Sequence, residues 1–175
     1  MTAFEKLNAL VGMENFKELV GKIKHSLDSG MDGKYGKGIY VFTGNPKTGK
    51  TTAANLFGEL IYEMGLLKSR QIINVTRNDL VANYVGQTSL KTKELLEKAL
   101  DGVLHIDEAY SLISSENDTF GREALDAILS FVDENRDKIC IIFSGYPNEM
   151  DKLLQSNPGL KSRVTEIIHF EDLKS

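Results

Sequence analysis

The residues whose types and spacing most clearly suggest chemistry lie in a glycine-rich segment. Residues 44–51 match the pattern G-x-x-x-x-G-K-T, which follows an apolar run at 39–42 and precedes a helical stripe. Backbone N–H groups of such a loop and of the helix N-terminus behind it converge on one point and suit a polyphosphate. Lys50 adds a charge for the β- and γ-phosphates, and the Thr51 hydroxyl suits Mg²⁺. The segment predicts a site for a nucleotide and Mg²⁺, with the candidate nucleotide-binding residues Gly44, Asn45, Pro46, Lys47, Thr48, Gly49, Lys50, Thr51 and Thr52.

A pair of adjacent carboxylates forms the second cluster of candidate residues. Asp107 and Glu108 follow the apolar run 103–106. Because the carboxyl ends of parallel strands meet at one edge of a sheet, both side chains are expected to face the loop around Lys50. Asp107 would orient the water shell of Mg²⁺ together with Thr51, while Glu108 polarises the water that attacks the γ-phosphate. A glycine-rich turn or an acidic turn is common in isolation, but both in one predicted sheet favour catalysis by Lys50, Asp107 and Glu108.

Five short apolar runs alternate with helical stripes along the chain. The runs lie at 39–42, 71–76, 102–106, 139–144 and 164–170. The stripes lie at 13–27, 53–65, 90–100, 120–135 and 149–155, and a flexible connector spans 29–38. Such alternation predicts an α/β fold, a P-loop NTPase core with a five-stranded, mostly parallel sheet and helices on both faces. In the third run, His105 faces away from its strand neighbours, which favours packing against a covering helix over ligand binding.

Composition limits the class of protein and its partners. The 175 residues carry a net charge of −4, with 41% apolar and 26% charged residues. These values are ordinary for one globular domain, taken as residues 1–175, and the acidic balance disfavours non-specific binding of nucleic acid. No apolar run approaches membrane-spanning length, and the N-terminus lacks the layout of a signal peptide. The single Cys140 lies in an apolar run and is expected to be a buried thiol, so the sequence predicts a cytoplasmic protein with no nucleic-acid or membrane partner.

These motifs, in this order, resemble those of the AAA+ ATPases. One branch of that family is similar in four segments: 78–88 (NDLVANYVGQT), 102–110 (GVLHIDEAY), 144–150 (SGYPNEM) and 157–163 (NPGLKSR). The branch contains the stage V sporulation protein K group and the red-type rubisco activase CbbX, and the likeness runs from Leu7 to Phe170. The resemblance implies a core that binds and hydrolyses ATP. It also implies a ring of identical subunits, a hexamer in the full-length protein, that remodels an unknown protein substrate through a central pore.

The resemblance also assigns roles to two turns outside the clusters. Val11 and Gly12 match the place where the family contacts adenine from the N-terminal side, and an ordinary turn before a helix is the alternative. Tyr84, Val85 and Gly86 match the pore loop, in which an aromatic residue from each subunit grips the substrate. A tyrosine packed at the end of the second strand is the alternative to that loop.

Arg163 matches the arginine finger, which acts on the nucleotide of the neighbouring subunit. Its guanidinium would stabilise charge on the transferred phosphoryl group, an effect of about 10³–10⁵ in rate in other NTPases. A surface arginine that caps the preceding helix is the alternative. Lys161 is a weaker second candidate, because an ammonium cannot fork onto phosphate oxygens. The family's polar sensor at the end of the fourth strand corresponds to either Ser144 or Tyr146.

Departures from the family pattern keep a second function open. Lys47 stands where the family usually has Gly, and a positive φ at that position would cost about 1 kcal/mol. Weaker or slower nucleotide handling is the resulting hypothesis, unless the lysine charge assists phosphate binding instead. The helical lid that follows the fifth strand in the family, and an N-terminal recognition domain, are absent from 1–175. The alternative function is therefore a nucleotide-binding regulatory or scaffold module with little or no turnover. A small-molecule kinase is disfavoured, because no acceptor pocket or arginine-rich lid is evident.

Overall fold

The computed structural model describes residues 1–30, 36–84 and 86–172. Residues 31–35 of the predicted connector and Val85 of the predicted pore loop lie outside the described residues. The helices are α1 (Ala3–Ala9), α2 (Glu14–Asp28), α3 (Lys50–Glu63), α4 (Arg77–Leu80), α5 (Thr88–Ala99), a 3₁₀ helix (Ala109–Ile113), α6 (Thr119–Glu134), α7 (Pro147–Ser156) and α8 (Pro158–Arg163). Within the described ranges, no helix combines the length and apolarity that a bilayer crossing requires.

The five predicted strands form one parallel sheet. They are β1 (Gly38–Gly44), β2 (Ile72–Val75), β3 (Val103–Ile106), β4 (Cys140–Gly145) and β5 (Val164–Phe170). Their order is β2-β3-β4-β1-β5, and each neighbouring pair is parallel. Gly38 of β1 and Val103 of β3 both align with Cys140 of β4. The predicted α/β fold is confirmed, and the carboxyl ends of β1, β3 and β4 meet at one edge.

Strand β1 contributes side chains to both layers of the core. Tyr40 and Phe42 pack with α1, α2 and α3, whereas Ile39 and Val41 pack with the layer formed by α4 to α8. Aromatic rings with centroids 5.1–6.2 Å apart fill the first layer: Phe16, Tyr40, Phe42, Phe57 and Phe170. Each fully buried ring contributes about 1.5–3 kcal/mol, so β1 is firmly held where it leads into the glycine-rich loop. The Cys140 thiol is buried in the neighbouring β4, and burial raises its pKa.

Hydrophobic periodicity does not predict the short elements α1, α4, the 3₁₀ helix and α8. Three of them, α1, α4 and α8, start at local hydrogen bonds rather than at a long apolar stripe. The Thr2 hydroxyl accepts from the Glu5 N–H (3.1 Å) at the start of α1. The Thr76 N–H donates to the Asp79 side chain (2.9 Å) at the start of α4. The Asn157 side chain accepts from the Leu160 N–H (3.0 Å) at the start of α8, next to Pro158. Capping residues were therefore the usable sequence signal for these helices.

A bidentate ion pair between Arg77 and Asp118 joins α4 to the start of α6. Arg77 Nη2 donates to Asp118 Oδ1 (2.9 Å), and Arg77 Nη1 contacts Oδ2 and donates to the Ser111 carbonyl (2.6 Å). The same carboxylate accepts from Gly121 N (3.0 Å) and from the Ser114 hydroxyl (2.7 Å). Arg77 first, and then these N–H and O–H donors, hold the pKa of Asp118 well below its usual range.

We expect Asp118→Asn to lower the free energy of unfolding at neutral pH by about 3 kcal/mol, because it leaves Arg77 without its anionic partner. The parental carboxylate is ionised in the fold at pH values where the unfolded chain already binds a proton. Its contribution is therefore fully present above the ordinary aspartate pKa of about 3.9 and is lost as pH falls below it. Urea unfolding at about pH 7 and about pH 3.5 should show the difference between variant and parent shrinking on acidification.

Asp126→Asn, at an exposed position of α6, serves as the matched control. It should stay within about 0.5 kcal/mol of the parent at both pH values. A difference between Asp118→Asn and the parent that does not change with pH would contradict the role assigned to the ionised carboxylate.

Candidate functional site

The glycine-rich loop at residues 44–49 is a tight turn between β1 and α3. Gly49 has φ of 94°, and a Cβ there would collide with Cε of Met13. A Cβ on Gly44 would lie 2.7 Å from Thr48 Oγ1 and 2.8 Å from the Phe170 carbonyl oxygen. The buried Thr48 hydroxyl donates to the Asn45 carbonyl (2.8 Å) and closes the loop from inside. Both glycines are required by this geometry, which fits a loop whose backbone cradles phosphates.

The Lys50 ammonium lies inside the loop. Its Nζ donates to the carbonyls of Gly44 (2.6 Å) and Asn45 (2.8 Å). Partial burial lowers the pKa of Lys50, and the charge of Asp107 acts in the opposite direction. Lys50 and Asp107 therefore lie close enough for their charges to interact, and their joint role in one site stays a prediction.

A cavity of about 220 Å³ brings the two predicted clusters together. The loop and α3 contribute Pro46, Lys47, Thr48, Lys50 and Thr51, and the opposite wall contains Asp107, Glu108, Tyr110, Gly145 and Tyr146. No group of three or more His, Cys, Asp or Glu side chains able to hold a metal ion occurs in the part of the chain that the structure describes. The Asp107 carboxylate and the Thr51 hydroxyl in this cavity suit Mg²⁺, which keeps several waters and binds through one or two carboxylates plus substrate phosphates. Thr51 and Asp107 are the residues here that would hold it.

The acidic pair at the end of β3 is held by backbone and side-chain hydrogen bonds. Asp107 Oδ1 accepts from the Glu108 N–H (3.0 Å) and from the Ser144 hydroxyl (2.9 Å). Glu108 has left-handed φ and ψ of 51° and 45°, and its carbonyl accepts from the Ser111 N–H (2.9 Å) and hydroxyl (2.7 Å). Among the described non-glycine residues with positive φ, Met13, Lys47 and Glu108 all lie around the loop or the acidic pair. Such backbone strain commonly clusters at functional sites.

His105 is buried behind the acidic pair and hydrogen-bonded on both ring nitrogens. Its Nε2 lies 2.7 Å from Ser144 Oγ, and its Nδ1 lies 2.8 Å from Asn74 Oδ1. Asn74 in turn donates to Asn55 Oδ1 (3.2 Å) on α3. Burial lowers the pKa of His105, and the nearby Asp107 charge acts in the opposite direction. The sequence predicted a packed histidine but missed these partners. The usable signal was a polar residue within each of three neighbouring apolar strands.

The two candidates for the polar sensor occupy different positions. Ser144 is fully buried and donates directly to Asp107. Tyr146 is partly exposed at the cavity, where its ring stacks on Tyr110 with centroids 6.0 Å apart. Burial raises the pKa of Tyr110, and the neighbouring acidic groups act in the same direction. Of the two candidates, Ser144 is the one that touches the acidic pair.

Val11 and Gly12 line a second cavity of about 520 Å³ on the Met13 side of the loop. Its lining also includes His169 and Asp172 from the end of β5 and the residues after it. The Asn45 side chain of the loop donates to Asp172 (3.0 Å), which joins the phosphate loop to the rim of this cavity. Because Val11 is 86% exposed, its apolar surface is available for a flat base.

The predicted pore-loop residues Tyr84 and Gly86 lie in a surface loop. Tyr84 is 71% exposed, so it is not packed at the end of β2, and Gly86 has φ of 82°. The Ala82 N–H donates to the Thr88 hydroxyl (3.0 Å) and closes the base of the loop. The aromatic side chain is therefore free to contact another molecule.

Arg163 lies far along the sheet from the loop, at the amino end of β5. The register aligns Val164 with Ile39 at the opposite end of β1 from Gly44. Arg163 donates to both carboxylate oxygens of Asp133 (2.9 and 2.8 Å) and to the Gly159 carbonyl (2.7 Å) of its own helix. It lines a separate cleft of about 380 Å³ and does not join the chain's own acidic pair. The cap on α8 matches the alternative considered for this residue, and a role in a neighbouring subunit stays a prediction.

The parallel sheet, the glycine-shaped loop after β1 and the acidic pair after β3 together define a P-loop nucleotide-binding protein. Within that class the chain belongs to the ATPase family associated with various cellular activities (AAA), whose sequence model matches residues 40–172. The predicted membership of the AAA+ ATPases is confirmed. The site is thus a nucleotide site of an ATPase family.

Two relatives and one solved structure agree with this assignment. Stage V sporulation protein K of Bacillus subtilis (strain 168) is 42% identical over an alignment 177 positions long, which covers 96% of this chain and 54% of the relative. The chloroplastic ribulose bisphosphate carboxylase/oxygenase activase of Cyanidioschyzon merolae (strain NIES-3377 / 10D) is 46% identical over 132 residues, which cover 75% of this chain and 45% of the relative. The chain spans about half the length of these relatives, and both belong to the predicted branch. The crystal structure of the FIGL-1 AAA domain in complex with ADP shares the fold, with a TM-score of 0.64, 20% identity, and coverage of 93% of this chain and 54% of that chain.

Lys47 has a φ of 64°. Backbone strain at this lysine was expected only if its φ were positive, and that condition is met. We expect Lys47→Gly to raise the free energy of unfolding by about 1 kcal/mol, because glycine has no Cβ to clash in the left-handed region. Lys47→Ala, the matched control, removes the same charge but keeps the Cβ and should not gain that stability. Urea unfolding measures both variants.

Calorimetric titration with ADP then separates the strain hypothesis from the charge hypothesis for Lys47. Tighter binding in Lys47→Gly than in Lys47→Ala supports strain, whereas equal weakening in both supports a phosphate-binding charge. An affinity that is unchanged in both variants would rule out any effect of Lys47 on nucleotide binding.

Proposed function

We propose that the chain is the ATP-binding and ATP-hydrolysing core of a motor that remodels a protein substrate. The observation that carries this proposal is the single cavity shared by Lys50, Thr51, Asp107 and Glu108. A loop that only bound phosphate would not need two carboxylates facing it. The name of the Cyanidioschyzon merolae relative, a rubisco activase, supports action on a protein substrate but does not identify the client of this chain.

Binding of ATP uses the loop and the turn at Val11 and Gly12. The backbone N–H groups of the loop and the start of α3 bind the phosphates, and Lys50 exchanges its carbonyl partners for phosphate oxygens. The base then lies in the second cavity against Val11 and Gly12. Its flat face covers apolar surface that is exposed in the free chain.

Hydrolysis divides the work between the two carboxylates. Thr51 and Asp107 would hold Mg²⁺, which would supply positive charge to offset the charge of the phosphates. Glu108 orients a water molecule toward the γ-phosphate and accepts its proton as general base. The left-handed backbone of Glu108 directs this side chain from the strand end into the cavity wall.

Arg163 completes the site of a neighbouring subunit in this proposal. It lies too far along the sheet to reach its own cavity, so a ring of identical subunits is required for it to contact nucleotide. In the free chain it is bound to Asp133, and that ion pair must break before it can act in trans. The exposed Tyr84 is proposed to contact the substrate in the centre of the same ring, which we expect to be a hexamer.

The Arg163–Asp133 pair also favours the second candidate function, a nucleotide-binding scaffold with little turnover. If the guanidinium stays on Asp133, no finger reaches a neighbouring nucleotide and hydrolysis is slow. The acidic pair in the cavity favours the motor. Measured turnover in the parent and in a Glu108 variant separates the two.

We expect Glu108→Gln to bind ATP with parental affinity and to lose about 10²–10⁴-fold in turnover, because the amide keeps the shape of the side chain but cannot accept the proton of water. Calorimetry measures binding and phosphate release measures turnover. Glu116→Gln, at an exposed position on the same stretch of chain, is the control and should keep parental turnover. Equal turnover in parent and Glu108→Gln would exclude Glu108 as the base.

Mixing Arg163→Ala with Glu108→Gln tests action in trans. Each variant alone should be nearly inactive, but a mixed ring contains interfaces with an intact Glu108 on one subunit and an intact Arg163 on the next. Random assembly of equal amounts should restore up to about a quarter of parental turnover. Arg136→Ala, which changes an exposed arginine near the same aspartate (3.8 Å), is the control and should stay active alone. No recovery on mixing would contradict a finger supplied by the neighbour.

A further inference from the structure

A continuous row of hydrogen-bonded polar groups links the P-loop helix α3 to the acidic pair across the sheet. It runs from Asn55 on α3 to Asn74 (3.2 Å), His105 (2.8 Å), Ser144 (2.7 Å) and Asp107 (2.9 Å). The three strand residues come from β2, β3 and β4, and the register aligns Asn74 with His105. His105 and Ser144 are buried among apolar side chains. Burial of a polar group costs free energy unless the group is hydrogen-bonded. The side chains in this row of hydrogen bonds are therefore held in defined positions.

The direction of the last two hydrogen bonds follows from the groups involved. The Asp107 carboxylate can only accept hydrogen bonds, so the Ser144 hydroxyl donates its single proton to Asp107 Oδ1. Ser144 Oγ must then accept from His105, which requires the proton of the imidazole to be on Nε2. The proton position on one buried ring therefore decides whether the serine can donate to the acid.

The other end of the row of hydrogen bonds joins His105 to α3. Its Nδ1 lies 2.8 Å from Asn74 Oδ1 on β2, and the Asn74 amide donates to Asn55 Oδ1 (3.2 Å) on the helix. The ring therefore has a partner at each nitrogen, which fixes Nε2 beside Ser144.

We propose that His105 is a positioning residue for Asp107, acting through Ser144. The Nε2–H of His105 fixes the Ser144 hydroxyl, which holds Asp107 Oδ1 and leaves the second carboxylate oxygen for the cavity. Asn55 lies one helical turn after Thr51, so the row of hydrogen bonds starts on the same helix that carries Thr51. The effect of His105 on turnover rests on the proposed function, whereas its proton position and its hydrogen bond to Ser144 do not.

The proton position can be tested without turnover. Long-range ¹H–¹⁵N correlation spectra of the ¹⁵N-labelled chain report which nitrogen of each of the three histidines carries the proton. The signal that is lost in His105→Phe belongs to His105. We expect a protonated Nε2, with its N–H exchanging faster with solvent in Ser144→Ala than in the parent. An unprotonated Nε2 would overturn the proposal.

A double-mutant cycle tests the positioning role. His105→Phe keeps the ring volume but removes the donor, and Ser144→Ala removes the intermediate hydroxyl. Each should lower kcat by about 10–100-fold with little change in KM for ATP, and the double variant should be no worse than either single variant. His105→Gln, whose amide N–H reaches a similar position, should recover most of the loss. Multiplicative losses in the double variant, or no recovery with glutamine, would overturn the proposal. Thermal unfolding of each variant identifies a loss that comes from misfolding.

The cycle also separates failure of this inference from failure of the proposed function. If the parent shows no turnover, the motor function fails, and the same cycle is measured on the increase in ADP affinity that Mg²⁺ produces. Loss of that increase in both single variants, with no further loss in the double variant, still supports positioning of Asp107. An unchanged Mg²⁺ effect in His105→Phe overturns it.

Discussion

Strand β1 enters the phosphate loop with both of its faces covered, and the site depends on that constraint. Aromatic rings pack on one face and aliphatic side chains on the other, while β4 and β5 flank it in the sheet. Packing therefore holds the strand end on both faces, and the chain turns sharply at Gly44 against the carbonyl of Phe170. The loop carbonyls then hold the Lys50 ammonium at a defined point, opposite the acids that β3 delivers through its own register with β4.

Most of the fold follows from the sequence because parallel strands buried on both faces appear as short apolar runs. Each of the five runs became a strand with ends within two residues of the expected position, and the loop and acids met in one cavity as expected. The short helices α1, α4 and α8 and the 3₁₀ helix were missed, because elements of one or two turns have no measurable periodicity. The partner of Arg163 was also missed, since Asp133 is thirty residues away in sequence and only the packing of α6 against α8 brings them together.

The alternation of residues in β3 predicts the face of the sheet on which His105 lies, but not the hydrogen-bond partners of its ring. Alternation correctly placed His105 on the face opposite to Leu104 and Ile106, and from that a packed ring was expected. Its hydrogen bonds depend on the register between three strands, which a single sequence does not specify. Asn74, His105 and Ser144 each interrupt an apolar run, and three such interruptions on adjacent strands indicate one network rather than three exceptions.

Backbone strain at Lys47 and Glu108 lies at the rim of the cavity, while the layers behind it consist of buried apolar side chains. A rigid base of this kind keeps reacting groups aligned but permits little adjustment elsewhere. Packing in the core therefore stabilises the fold, and the strained backbone at Lys47 and Glu108 belongs to the site.

The burial of Cys140 makes the chain convenient for site-specific chemistry. Only a thiolate reacts quickly with alkylating reagents, and this sulfur is shielded from solvent and has a raised pKa. A cysteine introduced at an exposed position such as Tyr84 would thus be the single reactive thiol, without any need to remove the natural one. Fluorescent dyes or spin labels could then follow the movement of that surface loop in an otherwise unaltered molecule.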